Sequence, residues 1–333
     1  MIAYIIRRLA TGAAMLIIIS MVTFGIFFIA PKATGTDPAV LFVGKIADAR
    51  AIEATKIKLG LDAPLYVQYG RFIKGIVVGR DFNSGPEVTH CPAPCFGYSF
   101  KTDQEVWPLL MKRLPVTFSL AIGAAIIWLV SGVLAGMISA LRKRSVVDRT
   151  VMVIALAGIS LPVYFTGLLA QAVFVYKLQW LPAVSYVPFF DNPVKWATAL
   201  VLPWITLAFL YAATYARLTR ATVLETLGED YVRTARAKGL RERRVISKHV
   251  MRSVLTPIVT VFGLDLGGLL GGAILTETVF TLHGLGKLAI DAIGQSDLPI
   301  ILGVTMFAAF FIVFANIVVD VLYAVIDPRV RLT

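Results

Sequence analysis

Asp265 is the sole charged residue in the run from 253 to 276. A carboxylate at that depth in a bilayer costs about 2.5–3.5 kcal/mol on insertion scales, so it has to face protein or water. Gly263, Gly267, Gly268, Gly271 and Gly272 surround it, and small residues either let helices approach closely or line a cavity. Asp265, Gly268 and Gly272, with Glu277 near the outer end of the same run, are therefore candidates for a translocation pathway. There Asp265 could meet a cationic amine or relay a proton. The packing alternative is a neutral or locally paired Asp265, with Glu277 as an interfacial residue or partner contact. A second centre is Cys91-Pro-Ala-Pro-Cys95, which holds the chain's two cysteines beside His90. An oxidising compartment would favour a disulfide, although so short a loop limits its entropic gain. Free thiols are the alternative, and two Cys with one His fall short of the four ligands of a structural zinc site. His249 and His283 lie in other loops. The sequence has no phosphate-binding Gly-x-x-x-x-Gly-Lys-Ser/Thr, no Gly-x-Ser-x-Gly and no His-Glu-x-x-His, which disfavours an enzyme.

The elements that must position these residues follow from charge spacing. Of 333 residues, 58% are apolar and 16% charged, against about 25% charged in soluble domains. Six runs are nearly free of charge: 9–31, 114–141, 150–176, 196–216, 253–276 and 298–319. Each reaches the ~20 residues that a helix needs to cross a bilayer. No short alternating segments of the barrel type appear. The expected fold is an all-α membrane protein with six transmembrane helices and an exported domain between the first two. The first run is longer than a signal core and reads as a retained helix.

Arginine and lysine in the short loops set the orientation. With six spans both termini share a side, and that side holds 18 basic and 6 acidic residues, ten of the basic ones between Arg217 and Arg252. Both termini are therefore expected in the cytoplasm. This bias accounts for the net charge of +12 without a nucleic-acid partner. Three regions result: 1–31 with the first span, an exported domain at 32–113, and a five-helix core at 114–333 carrying a cytoplasmic loop at 217–256. In the exported domain a polar helix is expected over 48–60, capped by Gly60. A second periodic segment follows, with Tyr66, Tyr69, Phe72, Ile73 and Ile76 on one face.

In the cytoplasmic loop the fourth helix is expected to run on to Leu227 and stop at Gly228. Glu229 or Asp230 then caps a short basic helix that ends at Gly239. Tyr231, Ala235, Ala237 and Lys238 flank a small-residue face with room for a partner, while Arg233 and Arg236 point elsewhere. Such a helix could lie on lipid headgroups or dock against a protein. An amphipathic helix follows, with Val245, Ile246, Val250 and Val254 on one face.

Glu229-Asp-Tyr-Val-Arg-Thr-Ala-Arg-Ala-Lys-Gly-Leu240 resembles the cytoplasmic loop of the dipeptide/oligopeptide/nickel ABC importer permeases. Further matches are Met1-Ile-Ala-Tyr-Ile-Ile-Arg-Arg-Leu9, Leu59-Gly-Leu-Asp-Ala-Pro-Leu-Tyr-Val-Gln-Tyr69, Arg113-Leu-Pro-Val-Thr117, Gly271-Gly-Ala-Ile-Leu-Thr-Glu-Thr-Val-Phe280 and Asp320-Val-Leu-Tyr-Ala-Val-Ile-Asp-Pro-Arg329. The resemblance implies a type I ABC importer permease fold in a bacterial inner (plasma) membrane, and import of peptides or similar small solutes. It implies a coupling helix at 229–239, with Glu229, Asp230, Tyr231, Arg233, Thr234, Ala235, Ala237, Lys238 and Gly239 meeting an ATPase. It further implies a second homologous permease, two ATPase subunits that hold ATP and Mg, an extracytoplasmic solute-binding protein and a lipid environment. The permease itself would be non-catalytic and without a cofactor. Arg241-Glu-Arg243 and the Cys91–Cys95 insertion depart from the family pattern. The alternative is a proton-coupled secondary transporter using Asp265.

Overall fold

The computed structural model describes residues 2–33, 62–83, 88–99 and 101–326, with a few single positions between 35 and 56. Most of the helix expected over 48–60, its Gly60 cap and the C-terminal residues 327–333 lie outside the described residues. The helices are α1 (Ile2–Ala33), α2 (Leu65–Val78), α3 (Val106–Leu141), α4 (Val146–Ser160) and α5 (Val163–Ala170, running on as a π-turn through Lys177). They continue with α6 (Pro193–Leu227), α7 (Asp230–Ala237) and α8 (Glu242–Arg244, a π-turn over Val245–Val250, then Met251–Leu270). The last three are α9 (Ile274–Val279), α10 (Leu285–Gln295) and α11 (Leu298–Ile326).

Five helices are long and apolar enough to cross a membrane, and α4 with α5 makes a sixth candidate span bent by 102°. The expected third span is thus broken rather than continuous. Pro162 lacks an N–H and drives the residue before it out of the helical region. Leu161 accordingly takes an extended conformation, with φ −90° and ψ 123°. The expected fifth span is also shorter. It ends at Leu270, because Gly272 has φ +135°, and Glu277 belongs to the separate short helix α9. The fourth helix runs to Leu227 with Gly228 at its end, and the Asn192 side chain caps its start by accepting from Lys195 N at 2.9 Å.

Helices cannot be driven together by hydrophobicity inside lipid, so close approach carries the packing. A Cβ on Gly132 would lie 2.9 Å from Ala212 O, and one on Gly136 would lie 2.4 Å from Ala216 O. These two glycines of α3 thus seat it directly on the α6 backbone. Gly263 and Gly267 bring α8 close against the side chains of Val319 and Ala315 of α11. Trp128 is fully buried between these pairs and stacks on Tyr211 with ring centroids 4.7 Å apart.

Between α1 and α3 the chain forms α2, the hairpin β1 (Arg80–Asn83) with β2 (Val88–Cys91), and the short pair β3 (Tyr98–Ser99) with β4 (Gln104–Glu105). Cys91 and Cys95 are bonded, with Cα atoms 5.7 Å apart. This region rests on the neighbouring ends of α1 and α11 through Phe24, Phe28, Phe82, Tyr98, Leu298 and Leu302. Ser99 donates to Asp297, and Lys101 reaches the carbonyls of Gln295 and Ser296.

Candidate functional site

The loop from Gly228 to Glu242 folds as a single exposed helix between two spans. Glu229 occupies the position before α7 with extended geometry but makes no side-chain cap; Asp230 sits in the first turn, where a negative charge suits the helix dipole. Val232 and Ala235 are buried, and they join the same apolar cluster as Val223, Val245 and Val250. Ala235 therefore faces its own chain, not outward as the sequence pattern suggested. A helix of eight residues needs an apolar stripe to hold it in place, and positions 232 and 235 (i, i+3) supply it. Asp230, Arg233, Thr234, Ala237 and Lys238 remain exposed.

Two polar contacts fix the orientation of α7. The Tyr231 hydroxyl and Ser253 Oγ are 2.8 Å apart. Arg236 makes a two-pronged pair with Glu242, at 2.6 and 3.0 Å, which joins the end of α7 to the start of α8 and holds the guanidinium pKa above its ordinary value. Gly239 between them has φ +75°, and a Cβ there would meet nothing. Its glycine is required by backbone conformation alone.

The pathway candidates divide. Asp265 on α8 accepts a hydrogen bond from the Tyr215 hydroxyl of α6 at 2.9 Å. Gly268 is exposed, with open space where a side chain would stand. Gly272 lies elsewhere: a Cβ there would be 2.7 Å from the Gly286 backbone. Glu277 is fully buried. Its carboxylate accepts from Thr117 Oγ1 at 2.8 Å, Lys287 N at 2.9 Å and Ala273 N at 3.3 Å. It knots α3, α9 and the start of α10 together.

Pattern reading missed several other polar contacts. Asp148 of α4 accepts from Ser139 Oγ at 2.5 Å, from Arg144 N at 2.9 Å, and from Arg220 of α6 at 2.7 and 2.9 Å. Arg220 lies two turns before Gly228, so this cluster anchors the end of α6 that leads into α7. Arg8 and Asp320 pair at 2.9 Å between α1 and α11. The ion-pair partners are far apart in sequence, and the one available signal was an acid or base inside an otherwise apolar helix. Among the described residues no group of three or more His, Cys, Asp or Glu could hold a metal ion.

A short basic helix projecting between two spans, with a largely apolar bundle behind it, is consistent with a membrane component of a larger assembly. Known proteins agree with that reading. Residues 132–332 match the family model described as "Binding-protein-dependent transport system inner membrane component", and residues 1–121 match the model of its N-terminal region. A putative peptide transport system permease protein of Brucella abortus (strain 2308) is 37% identical over 331 residues, covering 99% of each chain. The glutathione transport system permease protein of Escherichia coli (strain K12) is 37% identical over the same length and coverage. The dipeptide transport system permease protein of Alkalihalophilus pseudofirmus is 36% identical over 353 residues, covering 99% of this chain and all of its own. The matches leave the proton-coupled alternative without support, and with them the chain is placed in the family of inner-membrane components of binding-protein-dependent transport systems, as a permease subunit of the ABC class.

Proposed function

We propose that this permease forms half of the translocation pathway of an importer for peptides or similar small solutes, and that α7 is its contact with an ATPase subunit. The observation that carries the reading is α7 itself: a helix outside the membrane, anchored through Val232 and Ala235, that turns Asp230, Arg233, Thr234, Ala237 and Lys238 to solvent. Peptide, dipeptide and glutathione permeases among the relatives support the substrate class. A second permease would complete the pathway, two ATPase subunits would bind ATP and Mg, and a solute-binding protein would deliver substrate on the opposite side. Positive charge on the α7 side supports a cytoplasmic position for that side and for both termini, in a bacterial inner membrane. The face of α8 bearing Asp265 and Gly268 lines the pathway, and Asp265 meets the amine of the solute. Residues 32–113 form the exported domain, 114–333 the core, and the Cys91–Cys95 bond braces the exported domain.

The test uses the complex purified with its partners and reconstituted in proteoliposomes. Ala237→Trp places bulk on the exposed face of α7 and should leave assembly intact while ATP-driven dipeptide uptake falls by tenfold or more. Ala235→Trp is the contrasting variant, expected to reduce the yield of folded protein, because that side chain is buried. Normal uptake by the Ala237→Trp complex would refute the assignment of α7.

A further inference from the structure

The loop between the bent third span and α6, residues 178–192, turns at its end around Pro188. The N–H groups of Asp191 and Asn192 both donate to the Pro188 carbonyl, at 3.2 and 3.3 Å, and this sets Phe189 and Phe190 at the tip. The Phe189 ring packs edge-on against Trp196 of α6 with centroids 5.0 Å apart, and Phe190 packs edge-on against Phe189 at 5.6 Å. The tip is thus held in shape. Yet Phe190 is 94% exposed, and Val194, the second residue of α6, is 72% exposed. At the other end of the loop Tyr176 and Trp180 are exposed as well. Exposed apolar groups gathered on a firm loop mark a surface that a membrane or a partner covers.

The level of the tip decides between the two. α3 and α6 run side by side in one register: a Cβ on Gly123 would meet the Trp204 side chain, one on Gly132 the Ala212 backbone and one on Gly136 the Ala216 backbone, an offset of 80 or 81 positions each time. The uncharged run of α3 begins at Leu114, directly after Lys112 and Arg113. The same offset carries Leu114 to residue 194 or 195 of α6. The uncharged run of α6 begins independently at Trp196, directly after Lys195. The two helices therefore agree to within two residues, about 3 Å of rise, on where the apolar layer ends. Phe189 packs on Trp196, so the tip lies at that edge. Trp and Tyr gather at such a boundary, and Phe on an amphipathic surface enters the acyl side of it. Lys195 beside the tip is exposed and has no ion pair among the described residues, which leaves its ammonium for the headgroup layer.

We propose that the turn at 188–192 is a membrane anchor, with Phe189 and Phe190 entering the lipid interface of the leaflet opposite α7. It fixes the start of α6 against the bilayer, where the preceding span is bent by 102° and supplies no straight helix to hold the loop. The assignment is independent of solute, ATPase contact and transport direction.

The test uses the assembled transporter in proteoliposomes of phosphatidylethanolamine and phosphatidylglycerol, with partner subunits that carry no free cysteine. Cys91 and Cys95 are bonded to each other, so Phe190→Cys supplies the one thiol of this chain that takes a nitroxide label. Power saturation of the nitroxide signal compares collisions with oxygen, which partitions into the acyl region, and with a water-soluble nickel chelate. Reference lipids carry the nitroxide at the headgroup or at the fifth acyl carbon. The label at position 190 should read between the two references, shifted from the headgroup value toward oxygen. A label introduced by Val194→Cys should read likewise. Both side chains are exposed, so neither label displaces packed neighbours, and the second decides the matter if the first complex assembles poorly. Labels more open to the chelate than the headgroup reference would place the tip in water, and labels shielded from both reagents would place it against a partner subunit. Either result would overturn the proposal.

Discussion

Thr117→Val is the sharpest test of what holds the outer end of the bundle. Thr117 is fully buried, and its hydroxyl serves two elements at once. It donates to Glu277 Oε1 at 2.8 Å and accepts from Leu285 N at 2.8 Å. Leu285 opens α10, where backbone N–H groups have no partner within the helix. Valine has the shape of threonine but neither function. The carboxylate then loses one charge-assisted bond, about 1.5–3 kcal/mol, and the Leu285 N–H is stranded at about 1–3 kcal/mol more. Local relaxation recovers part of this, so a net loss of about 3 kcal/mol is expected. Thr117→Ser keeps the hydroxyl and gives up one methyl, about 1 kcal/mol. The assay is the unfolding midpoint of the purified complex, followed by tryptophan fluorescence. If Thr117→Val unfolds with wild type, or Thr117→Ser loses as much as valine does, the knot at Glu277 is not what stabilises this end.

Gly136→Ala should destabilise the complex by about 1–3 kcal/mol, because the new methyl would meet the Ala216 carbonyl and the α3–α6 pair cannot separate without losing its other contacts; the same unfolding midpoint measures it. Arg236→Gln removes a half-exposed pair, so stability should change by less than about 1 kcal/mol. Under the proposed function it should still raise the ATP hydrolysed per solute imported, measured together in proteoliposomes, and an unchanged ratio would show that the α7–α8 joint carries no force. Asp265→Asn should slow uptake of peptides with a free amino terminus more than of acetylated ones, and equal kinetics for the two would assign Asp265 to packing with Tyr215.

How far the sequence was legible depended on whether a feature is periodic or pairwise. Four of the six apolar runs (9–31, 114–141, 196–216 and 298–319), the stop at Gly228 and the helix ending before Gly239 rest on local propensity, and they stand as continuous elements in the structure. The bend at Leu161–Pro162 was also legible, since proline restricts its predecessor, but the long uncharged run concealed it. Gly271-Gly272 was treated as part of a span because the uncharged run continues through it; here it ends α8, and that moves Glu277 into a buried knot. Ala235 was misjudged for a different reason. A small side chain reads equally well as room for a partner or as close contact with the same chain, and only the burial of Val232 one turn away decides between them. Glu242, a departure from the family pattern, acquires a partner in Arg236 across a glycine turn that no helical period could reveal.

These contacts bear on how α7 could transmit a displacement. α7 is joined to α6 by Gly228 and Glu229 and to α8 by residues 238–241, and the Arg236–Glu242 and Tyr231–Ser253 contacts stiffen the α8 side. Further back along α6 the helix meets α8 again, where Tyr215 donates to Asp265. Tyr215 precedes Gly228 by thirteen residues, so that second junction lies about 20 Å along the helix from the first. Two helices joined at both ends of a 20 Å segment form a closed frame with α7 as one side. Pushing α7 cannot then be absorbed by tilting α6 or α8 singly; both must move, and the Tyr215–Asp265 bond must travel with them or break. Under the proposed function, the mid-span acid is thus coupled to the ATPase contact by the geometry of the frame. A loss of coupling in Tyr215→Phe, with α7 untouched, would be its signature in the ratio of ATP hydrolysed to solute imported, and a wild-type ratio would show that the frame does not need its far corner.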